Sequence, residues 1–422
     1  MLDIKFIREN KDLITLGAKK KHIEFDVEAL LTIDDERRSL MTKLEERRAE
    51  QNAASLEIVR AVGPEKSQIL EKMKFLKESM VADEEKLKTV MHDWQLQMLQ
   101  VPNVPDISVP DGNSDGDNME VKKWGELPKF DFEPKSHIEI MENLGMLDLE
   151  RGTKVSGFRG YFLKGDGALL SFAIWNYAMD FFLKKNFTPM IVPSLVKKES
   201  LIGTGMLPQS EEDLYKTQDG DYLAGTAEVA TMGFHMNEMI PKTELPKKYL
   251  SFSPCFRREA GSYSKDVKGL IRVHEFFKVE QVVLCEASHE ESVAHHEAIN
   301  RNTEEFIESL NIPYHTVTNC GADLGLGQVK KYDIELWVPL ENKYREISSA
   351  SYFHDFQTRR LNIRYKDTDG KTKYVHSLNS TAIPTPRILV SLVENFQQAD
   401  GSVKIPEVLV PYMGGKKEIS KI

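Results

Sequence analysis

Between residues 30 and 94 the apolar positions recur in steps of three and four, the spacing that keeps one face of a helix apolar. Ile69, Met73, Leu76, Met80, Asp83, Leu87, Val90 and Trp94 form a heptad seam. Leu30, Ile33, Arg37, Leu40, Leu44, Arg47, Gln51, Ala54, Ile58 and Ala61 keep the same rhythm. Gly63-Pro64 separates the two runs, with a residue that turns easily followed by one suited to the first turn of a helix. The pattern predicts two long helices folded back as an antiparallel hairpin. In that register Ala61 faces Ile69, Ala54 faces Leu76 and Leu44 faces Leu87. Arg47 falls opposite Asp83, and Arg37 opposite Trp94 as a cation–π pair.

Past residue 105 the pattern changes. Pro102 to Gly116 carries three prolines and two glycines among Asp and Asn, which reads as a linker. The expected division is a helical arm over 1–104, a linker over 105–117 and a body over 118–422. In the body, Tyr249–Glu259 reads as a strand, 260–272 as a loop and Val273–Leu284 as the returning strand. Alternation puts Arg257 and Glu259 on one face of the first strand, and His274, Phe276, Lys278 and Glu280 on one face of the second. A guanidinium bridges a carboxylate and a phosphate with its fixed fork. An aromatic ring stacks on a base, and a carboxylate accepts from an amine. The same residues also suit a surface sheet with cross-strand ion pairs. A helical hairpin, likewise, also serves as a spacer or dimerisation element.

Composition narrows the classes. The 422 residues are 41% hydrophobic and 29% charged, ordinary for a soluble protein of two or three domains. The formal charge of −10 argues against a protein that coats nucleic acid, while leaving local basic clusters such as Lys19-Lys20-Lys21 and Arg47-Arg48. Three dispersed cysteines give neither a disulfide framework nor a zinc pattern, which points to a reducing compartment. No apolar run spans a membrane, and the first residues are unlike a targeting peptide, so a cytoplasmic location is expected.

Several ordered motifs then carry a resemblance. Phe256-Arg257-Arg258-Glu259 with Gly269 to Phe276 resembles motif 2 of class II aminoacyl-tRNA synthetases, in the wording of the seryl-tRNA synthetases. Asn186 to Pro193 resembles motif 1, and Thr226-Ala227-Glu228 the short serine-site motif. Tyr344 to Ser349 resembles the strand that helps hold ATP and its metal. Leu378 to Arg387, with Glu394 to Gln398 and Ile405 to Tyr412, resembles motif 3 and its tail. The resemblance starts at Met1 and covers essentially the whole chain.

It implies an α+β fold, an antiparallel sheet flanked by helices and preceded by a two-helix coiled-coil arm. It implies a serine–tRNA ligase that joins L-serine to ATP, releases pyrophosphate and charges tRNA(Ser), with tRNA(Sec) left open. The implied ATP-binding set is Arg257, Arg258, Glu259, Val273, Phe276, Glu346, Ile347, Ser348, Ser349 and Arg387. Within it Arg257 and Arg387 are catalytic, Phe276 stacks on adenine, and Glu346 and Ser349 hold magnesium. The implied serine-binding set is Thr226, Ala227, Glu228, Arg257, Glu280, Asn379 and Thr381. The arm is implied to grip the RNA outside its anticodon. Motif 1 is implied to form a homodimer, in which one subunit's arm serves the other's active site. The sequence departs from the family pattern at Gly225 for proline, Asn186 for glycine, and Lys265, Val267 and Lys268 in the motif 2 loop. Pro384 and Pro386 also crowd the start of motif 3. Two rivals are an activating enzyme that loads a carrier protein and a non-catalytic tRNA-binding homologue. The long arm argues against the first. The intact Arg257, Glu259, Glu280, Glu346 and Arg387 argue against the second.

Overall fold

The computed structural model describes residues 1–261 and 266–421. It divides into two compact units, Met1–Lys19 with Ile23–Pro102, and Lys20–His22 with Asn103–Ile422.

The first unit is helical: α1 Ile4–Glu9, α2 Lys11–Lys20, α3 Val27–Glu57 and α4 Pro64–Gln100. Asp26 caps α3 by accepting from the Ala29 amide. Gly63 takes the left-handed φ of +61° that the turn requires, and Pro64 opens α4. Leu40, Leu44 and Ala54 of α3 and Leu76, Met80 and Val90 of α4 are buried along the hairpin. Both polar matches form. Arg47 pairs with Asp83, and the Arg37 guanidinium lies 4.7 Å from the Trp94 ring centre. The hairpin is shorter than its seam, because α3 stops at Glu57 and Ala61 lies in the turn. The periodicity also passes over Asp34. This carboxylate is 1% exposed and accepts from Arg37 at 2.7 Å and from Arg8 at 2.6 Å. Burial alone would raise its pKa, but the two guanidiniums outweigh burial and lower it.

The second unit is built on an eight-stranded sheet. Its strands are β1 Met119–Trp124, β2 Thr188–Ile191, β3 Lys247–Phe256, β4 Glu275–Cys285, β5 Tyr314–Thr318, β6 Lys330–Val338, β7 Lys343–His354 and β8 His376–Thr385. The spatial order is β1-β5-β6-β7-β8-β4-β3-β2. Every neighbouring pair is antiparallel except β2 and β3 at the edge. The expected antiparallel sheet thus carries one parallel pair. α5 Asp166–Leu183 packs against β2. α8 His289–Ser309 covers one face of the sheet, where Gln281 donates to the Ile299 carbonyl and His296 bonds the Ala350 carbonyl. Between them in sequence lie α6 Lys198–Thr204 and α7 Ala227–Gly233, and after β7 come α9 Phe356–Leu361 and α10 Arg387–Asn395.

The stretch read as a linker is part of this unit. Val109 is 2% exposed, and Asp106 accepts from the Tyr352 hydroxyl at 2.8 Å. Its Asp and Asn side chains satisfy local backbone amides, which is why the composition imitates a linker. Asn186 stands at φ +64°, a backbone that asparagine tolerates better than most residues, so the exchange from glycine is accommodated. Among the described residues no helix is long and apolar enough to cross a membrane. The three cysteines are free and buried.

Candidate active site

Gln281 faces α8, so its neighbour Glu280 faces the opposite side of the sheet. Phe276, Lys278 and Glu280 line that side of β4. On the adjoining β8, Thr381 pairs directly with Glu280, and Asn379 follows on the same face. Thr226 and Glu228 come down on this wall from the start of α7. Glu280 accepts from the Thr226 hydroxyl at 2.5 Å and from the Glu228 amide at 3.1 Å, with the Lys278 ammonium 3.7 Å away. The Thr226 hydroxyl also accepts from Lys278 and caps α7. Ala227, buried, opens the helix.

Glu228 is 4% exposed. Burial and then the Glu280 charge push its pKa up to about 7, against the pull of Gln357, Lys278 and Asn379. Such a carboxylate sits near its midpoint at neutral pH, poised to meet a cation.

The strand expected to reach Glu259 ends at Phe256. Arg257 still keeps its side of the wall, because its amide donates to the His274 carbonyl at 2.9 Å and continues the ladder. Its guanidinium lies 5.3 Å over the Phe276 ring. Glu259 lies past the end of the strand. It turns through φ +56° and pairs with Arg272 at 2.5 Å. Arg258 also points elsewhere, donating to the Glu212 carbonyl at 3.1 Å. Val273 is buried beside the returning strand, which begins at Glu275 rather than Val273.

Glu346 and Ser349 stand three residues apart on β7 and should face opposite ways. A β-bulge corrects this: Glu335 pairs with Glu346 while Ile334 pairs with Ser348, leaving Ile347 as the extra residue. Ser349 then pairs with Asp333, two residues from Glu335 on β6, so Glu346 and Ser349 share a face. Ser348 is turned into the protein and donates to the Thr381 carbonyl at 2.5 Å. A carboxylate and a hydroxyl on one face are hard oxygen donors, a fit for magnesium when phosphates and water supply the rest. Among the described residues no three His, Cys, Asp or Glu side chains are grouped to hold a metal by themselves.

Arg387 opens α10 and is held by two carbonyls, Ile271 at 2.9 Å and Glu346 at 3.0 Å. Burial, then the Arg257 and Arg272 guanidiniums, lower its pKa, while Glu346 and Glu259 oppose. Arg257, Arg272 and Arg387 thus act on one another with Glu346 and Glu259 among them, a mixed cluster whose guanidiniums can meet phosphates. Arg272 belongs to the motif 2 stretch without a role of its own there; in the structure it pairs with Glu259 and acts on Arg387. Lys265 lies outside the described residues. Val267 is half exposed, and Asp266 accepts from Arg345 at 2.5 Å.

Residues 1–105 match the family described as the seryl-tRNA synthetase N-terminal domain. Residues 215–396 match the class II core domain of the tRNA synthetases for G, H, P, S and T. A serine–tRNA ligase of Deinococcus radiodurans is 44% identical over 422 residues, covering 100% of this chain and 99% of the relative. One from Thermodesulfovibrio yellowstonii is 43% identical, covering 98% and 99%. Among solved structures, seryl-tRNA synthetase from Pyrococcus horikoshii complexed with ATP superposes with a TM-score of 0.92 at 38% identity, covering 100% of both chains. A prolyl-tRNA synthetase of Giardia lamblia, at 14% identity and a TM-score of 0.56, covers 66% of this chain and 57% of its own, and shares the fold alone. From its first helix to its last motif, the chain belongs to the seryl-tRNA synthetase family.

Proposed function

We propose that this serine–tRNA ligase activates L-serine with ATP on the face shared by β4, β8 and β7, and then transfers serine to the 3′ end of tRNA(Ser). The observation that carries the reading is the placement of two unlike half-sites on one face. An acidic, hydroxyl-lined pocket (Glu280, Thr226, Glu228, Thr381, Asn379) suits an ammonium and a small alcohol. The guanidiniums of Arg257 and Arg387 beside Glu346 suit a triphosphate.

Glu280 and Glu228 take the serine ammonium and hydroxyl, and Thr381 completes the contact to the hydroxyl. A pocket that hydrogen-bonds a hydroxyl rejects alanine, whose binding would leave buried polar groups unpaired. Arg257 brings the serine carboxylate against the α-phosphate. Adenine stacks on Phe276. The carboxylate oxygen then attacks the α-phosphorus in line, the bond to the bridging oxygen breaks and pyrophosphate departs. No side chain acts as a nucleophile, and positioning with charge neutralisation supplies the rate. Glu346 and Ser349 would hold magnesium, which when bound neutralises phosphate charge. The terminal ribose hydroxyl of the tRNA next attacks the seryl carbonyl, displacing AMP. The arm grips phosphates and shape rather than bases. We read the active form as a homodimer.

Serine-dependent ATP–pyrophosphate exchange tests the reading. Exchange is expected with serine and not with alanine, and Arg257→Ala should reduce it by about 10³-fold or more. Deleting residues 30–100 should spare exchange and remove charging. Absence of exchange with serine in the intact chain would sink the proposal.

A further inference from the structure

Gln357 belongs to none of the motifs that point to the site, yet it is 1% exposed and meets three other elements. From α9 its Nε2 donates to Glu228 Oε1 at 2.6 Å and to the Thr204 carbonyl of α6 at 3.3 Å. Its Oε1 accepts from the Ser377 hydroxyl of β8 at 2.8 Å. A carboxylate and a carbonyl on one side, and a hydroxyl on the other, determine which way the amide points.

We infer that Gln357 is a positioning residue for the amino-acid pocket, keeping the Glu228 carboxylate oriented and charged for the ammonium of serine. An amide donor lowers the energy of a carboxylate and does much less for a carboxylic acid. Glu228 needs that help, since burial and Glu280 both oppose its charge. The titratable groups acting on it are Glu280 and Lys278, both on β4. The side chains that reach it from α9 and β8, Gln357 and Asn379, are neutral. Gln357 leads the groups that favour the anion. Without it Glu228 takes up a proton at higher pH, and a protonated Glu228 is a poor partner for an ammonium.

The inference rests on the proposal that Glu228 lines the serine pocket, and the experiment separates the two. Exchange kinetics are measured against serine and against ATP from pH about 6 to 9 for the intact chain and for Glu228→Gln, Gln357→Met and Ser377→Ala. Gln357→Met is expected to raise the KM for serine about 10-fold at neutral pH, the effect of one lost charge-assisted hydrogen bond. The KM for ATP should stay within about 2-fold. The pH at which the serine KM falls should move upward by about one unit. Ser377→Ala, which frees the amide without touching Glu228, should shift both in the same direction by less. If Glu228→Gln leaves the serine KM unchanged, the pocket reading fails. If Glu228→Gln raises it while Gln357→Met keeps the original KM and pH profile, the inference is overturned. A uniform loss of kcat with an unmoved pH profile overturns it too, as that marks a merely structural role. Should Gln357→Met not fold, an unchanged KM and pH profile in Ser377→Ala overturns the inference in its place.

Discussion

Glu280 accepts from a hydroxyl and a backbone amide on one oxygen, Oε2, while an ammonium lies 3.7 Å from the other. Its orientation is therefore set through Oε2, which leaves Oε1 to accept from serine. Glu280→Gln is expected to raise the serine KM on the order of 10–100-fold while sparing the KM for ATP, as measured by exchange. Arg258, one residue from Arg257, is anchored to the Glu212 carbonyl, and Arg258→Ala should leave exchange within about 3-fold. This difference between neighbours marks where strand parity stops being a guide. Parity places Arg257 correctly because its backbone still pairs with His274. Two residues later the strand has ended, and Glu259 adopts a positive φ that no alternation rule anticipates. Gln357 is illegible in the sequence for another reason: its meaning lies in partners 129 and 20 residues away along the chain.

Elements obey the same division between local pattern and distant contact. The seam of α3 and α4 is readable because each heptad position repeats the same chemistry, and Arg47–Asp83 and Arg37–Trp94 form as the register requires. Asp34 is not readable, since half its environment comes from Arg8 on a different helix. Removing it takes the carboxylate from Arg37 and leaves Arg8 with Asp35. Asp34→Ala should destabilise the helical unit by about 3 kcal/mol, whereas Asp83→Ala, at the more open pair, should cost about 1 kcal/mol. Thermal loss of the helical circular dichroism signal in the intact chain checks both. If the two substitutions shift the transition equally, the Asp34 bridge adds nothing beyond an ordinary surface pair.

At the scale of the whole molecule, buried titratable groups shape stability against pH. Burial lowers the pKa of His296 and of His354 to about 4, below the ordinary histidine value. The unfolded chain takes up these protons first, so stability present above pH about 6.5 is lost as pH falls toward about 4. Glu228 has the opposite sign. Its raised pKa means that stability present below its ordinary pKa falls as pH rises to about 7. Thermal scans should show the melting temperature falling below pH about 6.5, with part of that slope lost in His296→Gln. They should also show Glu228→Gln more stable than the parent chain at pH about 8. Association also belongs at this scale. Ile191 is 88% exposed on edge strand β2, and Leu169 and Phe172 are exposed on α5 beside it. If the proposed homodimer forms through this edge, Ile191→Asp should leave a monomer in sedimentation. The strand order holds a further consequence for a chain emerging from the ribosome. β8, made almost last, is the slat between β7 and β4. A nascent chain stopped short of residue 376 has two half-sheets with open edges, a template for sticking to other chains. Glu280 waits on one half and Glu346 on the other. Truncation near the C-terminus should thus yield insoluble protein rather than a weakened enzyme, and the pocket comes into being only when its closing strand is released.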